Sequence, residues 1–197
     1  MNATPGRKHK TIRRYHQAGD LHELTFSCHL RQRLLTNDTR RNFLAESVDF
    51  ALEKHQLCLS AFVFMPEHVH LLVWPQDPAQ AEISQFLKSL KQSCSTKIKH
   101  DLRQSNSSLL AKLTITERPG KQTFRFWQAG PGYDRNLNTP DVVLTSIDYI
   151  HNNPLRRSLC QRPEDWKWSS YRTYLADERL LPLTSPKVTS LPAEFLQ

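Results

Sequence analysis

The chain has no apolar run long enough to cross a membrane. Its longest nearly apolar stretch, Leu57–Met65, falls far short of the about 20 residues a bilayer helix requires. No apolar segment follows the basic, polar N-terminus, so no secretory leader is expected. Paired cysteines are missing too. Cys28, Cys58, Cys94 and Cys160 include no C-x-x-C, which argues against a structural zinc knuckle and for a reduced, cytoplasmic setting without disulfides. Acidic residues are in deficit: 19 Asp+Glu against 27 Lys+Arg leave a formal net charge of +8. Such an excess suits a polyanionic partner, most economically nucleic acid. Two nucleotide-handling signatures are absent. Gly120-Lys121 has neither the earlier glycine nor the hydroxyl of a G-x-x-x-x-G-K-[ST] phosphate loop, and no H-x-E…P-C-x-x-C deaminase pattern occurs.

At 197 residues the expectation is one domain with appendages: a basic arm over 1–19, a domain over 20–160, and a C-terminal helix and tail over 161–197. Arm residues Arg13 and Arg14 read either as a solvated tail or as phosphate-tracking cations. Leu21–Leu30 reads as a strand. Capping side chains at Thr36, Asn37 and Asp38 then precede Leu44, Val48, Ala51, Leu52 and His55 at three-to-four spacing, which predicts a helix over about 38–55. Leu57–Phe64 and Val69–Trp74, joined through Met65-Pro66-Glu67-His68, predict a hairpin of two central strands.

A second long helix over about 80–103 carries the apolar stripe Ile83, Phe86, Leu87, Leu90, Cys94, Ile98 and Leu102. Lys88 and Lys91 lie off that stripe, on a solvated or DNA-facing side. Residues 104–122 read as a long connection, Phe124–Trp127 as a fourth strand, and Thr139-Pro140 as the start of a helix ending before Pro154. The order β-α-β-β-α-β-α is that of an α+β, ferredoxin-like split βαβ fold, an antiparallel sheet with helices on one face.

Two motifs carry chemistry. In His68-Val69-His70, strand alternation turns both imidazoles to one face, where they can clamp a metal ion, with Val69 in the opposite layer. Nine histidines in the chain also make a chance H-x-H possible. In Tyr149-Ile150-His151-Asn152-Asn153-Pro154, Tyr149 and Asn153 share a helix face with Val142 and Ser146. Read blandly, Tyr149 is a core-edge tyrosine and Asn153 a C-cap, while His151 and Asn152 lie on other faces. Trp166, Trp168, Tyr171 and Tyr174 suit core packing better than base stacking, and Arg156 and Arg157 suit phosphate contacts. His22, His29 and His55 look ordinary, and nothing fixes a role for Asp134.

Taken together, FMPEHVHLLVWP, then FWQAGPGYD, then YIHNNPLRRSLC resemble the single-tyrosine HUH transposases over roughly residues 12–175. The similarity is nearest to the REP-associated tyrosine transposases, domesticated relatives of the smallest insertion-sequence enzymes. Those relatives often have Asn where this chain has Glu67, and more basic residues than GPGYDRNL offers. The resemblance implies a divalent ion, Mg²⁺ or Mn²⁺, held by His68, His70 and the Asn153 amide oxygen, with Tyr149 as nucleophile. It implies cleavage and rejoining of single-stranded hairpin DNA through a 5′-phosphotyrosine, as in DNA transposition and recombination. It further implies a nucleoid-associated protein and a monomer rather than a homodimer. Two other readings of the same scaffold stay open: a catalytically silent DNA- or RNA-binding protein, and a metal phosphoesterase that uses water.

Overall fold

A computed structural model describes residues 21–77, 82–175 and 186–195. The basic arm, Arg13 and Arg14 included, lies outside the described residues, as does much of the tail. The elements are β1 (Leu21–Ser27), α1 (Asp38–His55), β2 (Leu57–Phe64), β3 (His68–Pro75), α2 (Ile83–Gln104), α3 (Ser108–Lys112), β4 (Thr114–Arg118), β5 (Lys121–Phe124), β6 (Tyr133–Leu137), α4 (Pro140–Arg156) and α5 (Tyr171–Tyr174).

The main sheet is antiparallel throughout, in the order β2-β3-β1-β6. With β6 as fourth strand this is the ferredoxin-like order, β3 lying between the two strands that α1 connects. Asn37 accepts a hydrogen bond from the Arg40 amide at 3.0 Å and so starts α1 where a capping side chain was expected. All seven residues of the α2 stripe are buried, each contributing roughly 1.5–3 kcal/mol where a large apolar side chain leaves water. They meet α1 and the even-numbered face of β1 (Leu24, Phe26) together with Val69, Leu71 and Val73 of β3.

Coverage by helices on one face holds for α1 and α2 alone. The opposite face also carries a helix: Val143, Ile147 and Ile150 of α4 pack on Leu21, Ala61, Val63, Leu72 and Leu137. Strand alternation therefore sends Val69 to the α1/α2 layer and His68 and His70 toward α4, which makes the second layer the place to look for chemistry.

Other expectations need correction. β2 is not central; it is the edge of the sheet, and it reads as a buried strand because a C-terminal segment covers that edge. The Phe64 amide donates to the Trp168 carbonyl at 2.9 Å, Ser170 to Phe62 at 3.0 Å and Thr189 to Leu59 at 2.7 Å. An edge capped this way needs no charged side chains to block pairing with another chain. Residues 104–122 contain α3, capped by the Ser107 side chain, and the hairpin β4–β5, which turns at Gly120 with φ +77°. The fourth strand of the sheet is β6, not Phe124–Trp127, where β5 ends and Trp127 makes only an isolated bridge to Cys28.

Helix α4 does not stop before Pro154 but continues to Arg156. A proline near the last turn removes one backbone bond. The turn is nonetheless closed from beyond it: the Arg157 amide donates to Asn153 at 3.2 Å and Leu159 to Pro154 at 3.0 Å. Asn153 is accordingly a helical residue and not a C-cap.

Candidate active site

A cleft of about 560 Å³ opens between α4 and the strand face that carries the histidines, and its walls include His68, His70, Tyr149 and Asn153. The late-chain motif and the early-chain motif meet here within one chain. The His68 and His70 rings lie 4.9 Å apart edge to face, and the Tyr149 ring lies 5.5 Å from His70, again edge to face. Both imidazoles are buried while Tyr149 stays 39% exposed, so the phenol is open to a ligand in the cleft.

The neighbours of each imidazole fix its working nitrogen. His68 Nδ1 donates to Glu67 Oε1 at 3.0 Å, and His70 Nδ1 donates to Thr25 Oγ1 at 2.8 Å. A proton held on Nδ1 leaves Nε2 as the lone-pair nitrogen in both rings, the second-sphere pattern that orients metal-binding histidines. At His70 that Nε2 receives the Asn153 Nδ2 donor at 3.2 Å. Asn153 Oδ1 is buried without a hydrogen-bond partner. An unpaired buried carbonyl oxygen on an amide that touches His70 is a cost that a cation would relieve. No group of three His, Cys, Asp or Glu side chains able to hold a metal occurs among the described residues. The donor set on offer is therefore two imidazoles and one amide oxygen, and it fits a divalent ion with positions left for other oxygens.

The electrostatics point the same way. Burial drives the His70 pKa down to about 3, helped by the neighbouring His68 and Arg157 charges. Burial also lowers that of His68, against the opposing pull of Glu67. Both rings are thus neutral at physiological pH and ready to ligate. The carboxylate at position 67 does not leave a bare negative charge beside the pair, because Arg157 Nη2 donates to the same Glu67 oxygen at 3.2 Å.

The remaining site candidates divide. Arg157 lines the cleft and the Arg156 guanidinium sits 5.3 Å over the Tyr149 ring; both lie where a phosphate bound at the histidines would be felt. Lys88 and Lys91 sit on α2, across the sheet from the cleft. Lys91 is no freely solvated cation. Its Nζ donates to the Gly130 and Pro131 carbonyls at 3.1 and 3.3 Å, it lies 5.0 Å over the Phe26 ring, and burial lowers its pKa to about 8. The tryptophans pack as expected, Trp168 Nε1 donating to Asp38 at 2.9 Å and Trp166 Nε1 to Phe64 at 3.2 Å.

His151 turns away from the cleft, its Nε2 paired with the Ser170 hydroxyl at 2.8 Å, and burial lowers its pKa to about 4. Both His70 and His151 are harder to protonate folded than at the ordinary value of 6.5. The unfolded chain therefore binds more protons below that value. Stability should be full above about pH 6.5 and decline as pH falls toward 4, by at most about 1.4 kcal/mol per pH unit for each histidine. Urea midpoints recorded from pH 7.5 to 4.5 should show this slope, and His151→Gln should flatten it.

Sequence reasoning missed Glu23, Thr25, Tyr133 and Arg135, all of which line the cleft. The alternation in Leu21–Ser27 already separates Glu23 and Thr25 from Leu24 and Phe26, so two of the four were legible. The other two sit on β6, whose start depends on Gly132. There φ is +90°, and a Cβ would meet the Thr25 carbonyl oxygen at 2.5 Å. Gly132→Ala should cost about 3 kcal/mol, from left-handed strain plus a backbone clash, read as a lowered denaturant midpoint.

Known proteins share part of this sequence pattern and this fold. Residues 21–115 match the family model described as "Transposase IS200 like", a span that holds both histidines and ends before α4. A solved REP-associated tyrosine transposase bound to a REP hairpin is 19% identical and superposes with a TM-score of 0.65, over 94% of this chain and 96% of that one. At that identity the likeness shows a common fold. A putative transposase from Deinococcus radiodurans is 18% identical over 75% of this chain and 97% of its own, with a TM-score of 0.44. No curated protein matches. The match over residues 21–115 is thus a likeness to the IS200-like transposases over just under half of the chain, and the solved relative adds a common fold.

Proposed function

We propose that this protein is a metal-dependent single-stranded DNA endonuclease and strand transferase that works through a phosphotyrosine, with hairpin DNA as its substrate. The observation that carries the reading is the placement of the Tyr149 ring 5.5 Å from His70, whose Nε2 faces an otherwise unsatisfied Asn153 amide. The likeness to IS200-like transposases over residues 21–115 supports a DNA-processing role, and the REP hairpin bound by the solved relative supports a hairpin substrate.

His68, His70 and Asn153 would hold the divalent ion, which supplies Lewis-acid polarisation of the scissile phosphate. Tyr149 attacks phosphorus: its Oη–P bond forms, the P–O3′ bond breaks, the phenolic proton leaves to solvent in the open cleft, and the departing 3′ oxygen takes one up. The product is a 5′-phosphotyrosine and a free 3′-hydroxyl. Because bond energy is retained in the covalent link, the reverse attack by a 3′-hydroxyl rejoins strands without a nucleotide cofactor. Arg157 and Arg156 flank the phenol and would neutralise the phosphate on either side.

The test is trapping. Single-stranded hairpin DNA and Mn²⁺ incubated with the protein should yield an adduct that survives a denaturing gel and is lost with chelator. Cleavage with no adduct would favour the phosphoesterase alternative, and binding with neither would favour the silent one.

A further inference from the structure

The cleft continues past the histidine pair along the sheet, and its far end carries different chemistry. Thr25 of β1 faces His70 on one side and Tyr133 on the other; Glu23 faces Leu72 and Arg135. Cross-strand partners share a face of the sheet, so His70, Thr25 and Tyr133 form one row, and Leu72, Glu23 and Arg135 the next. Tyr133 stands two strand spacings from His70, about 10 Å, and is 52% exposed. Gly132 makes that possible by letting β6 begin hard against the Thr25 carbonyl. The Glu23 carboxylate is buried in the floor beside Ser146, with Arg135 Nη1 at 3.8 Å. That separation is long for an ion pair, which leaves both groups hydrogen-bonding capacity for a ligand.

We propose that this end of the cleft is a base-reading subsite for the nucleotide next to the scissile phosphate. The unpaired base stacks on Tyr133, Glu23 accepts from an amino group on its edge, and Arg135 donates to a ring nitrogen or carbonyl. An exposed ring beside a shielded carboxylate and a guanidinium offers a base what a backbone-binding groove does not: one face to stack on and both hydrogen-bond polarities for its edge. The subsite deepens the endonuclease reading and rests on it.

The test uses the full chain, Mn²⁺ and a stem-loop DNA library with a randomised single-stranded flank, the covalent products being sequenced. The unmodified protein should show a base preference at the nucleotide adjoining the cut. Tyr133→Ala should lower adduct yield on the order of 10-fold and flatten that preference, with Tyr133→Phe restoring both. Glu23→Gln should change which base is preferred. Cleavage by the unmodified protein without preference there overturns the subsite alone, as does a preference that Tyr133→Ala and Glu23→Gln both leave intact. No adduct from the unmodified protein overturns the endonuclease reading and the subsite with it.

Discussion

Tyr149→Phe should abolish the covalent DNA adduct and cut strand cleavage on the order of 10³-fold or more, since the other phenol of the cleft, Tyr133, stands two strand spacings, about 10 Å, from His70. Hairpin affinity should stay within a few-fold, because the ring remains to face His70 and to sit beneath Arg156. The fold should be untouched: a hydroxyl in a half-exposed position is removed and no cavity is made. Adduct formation by the Phe variant would reassign the nucleophile. Cleavage at the unmodified rate with no adduct would mean that water attacks.

The second large effect is expected at the imidazoles. Removing only the outer partner of a metal ligand commonly costs about 10–100-fold, so loss of a ligand itself should exceed about 100-fold. His68→Ala and His70→Ala should therefore each abolish Mn²⁺-dependent cleavage and weaken Mn²⁺ binding by calorimetry, while hairpin DNA binding persists. Asn153→Ala should follow them. Asn153→Ala also removes the Nδ2 donor to His70, so Asn153→Asp, which keeps an oxygen but not that donor, separates the two roles: it should retain Mn²⁺ binding where the oxygen is the ligand. Glu67→Gln should be milder, the amide oxygen still accepting the His68 proton. Normal cleavage by either histidine variant would put the ion elsewhere.

Much of this site could be read from the residues. Period-two alternation set His68 and His70 on one face with Val69 opposite, and a four-residue step set Tyr149 above Asn153; the structure keeps both relations. The α2 stripe was legible for the same reason, a strong apolar period over a long helix. What failed was local and polar. β6 reads YDRNL, with Leu137 as its single buried apolar residue, so neither alternation nor β propensity announces it. Pro154 argued for a helix end on local sterics, and packing together with amides from beyond the turn overrode it. Lys91 looked like a surface cation because periodicity reports which side of a helix a residue is on. It does not report that a loop forty residues later folds down to take its charge.

One chain must hold the complete site for this chemistry to occur. Mixing the His70→Ala and Tyr149→Phe proteins tests this directly, with Mn²⁺, hairpin DNA and the unmodified protein as positive control. Each mutant lacks one half of the centre, and when both halves come from the same chain the mixture forms no adduct above the level of either variant alone. Recovery of adduct on mixing would show that tyrosine and histidines are supplied by different chains, and would contradict the geometry on which the proposal stands.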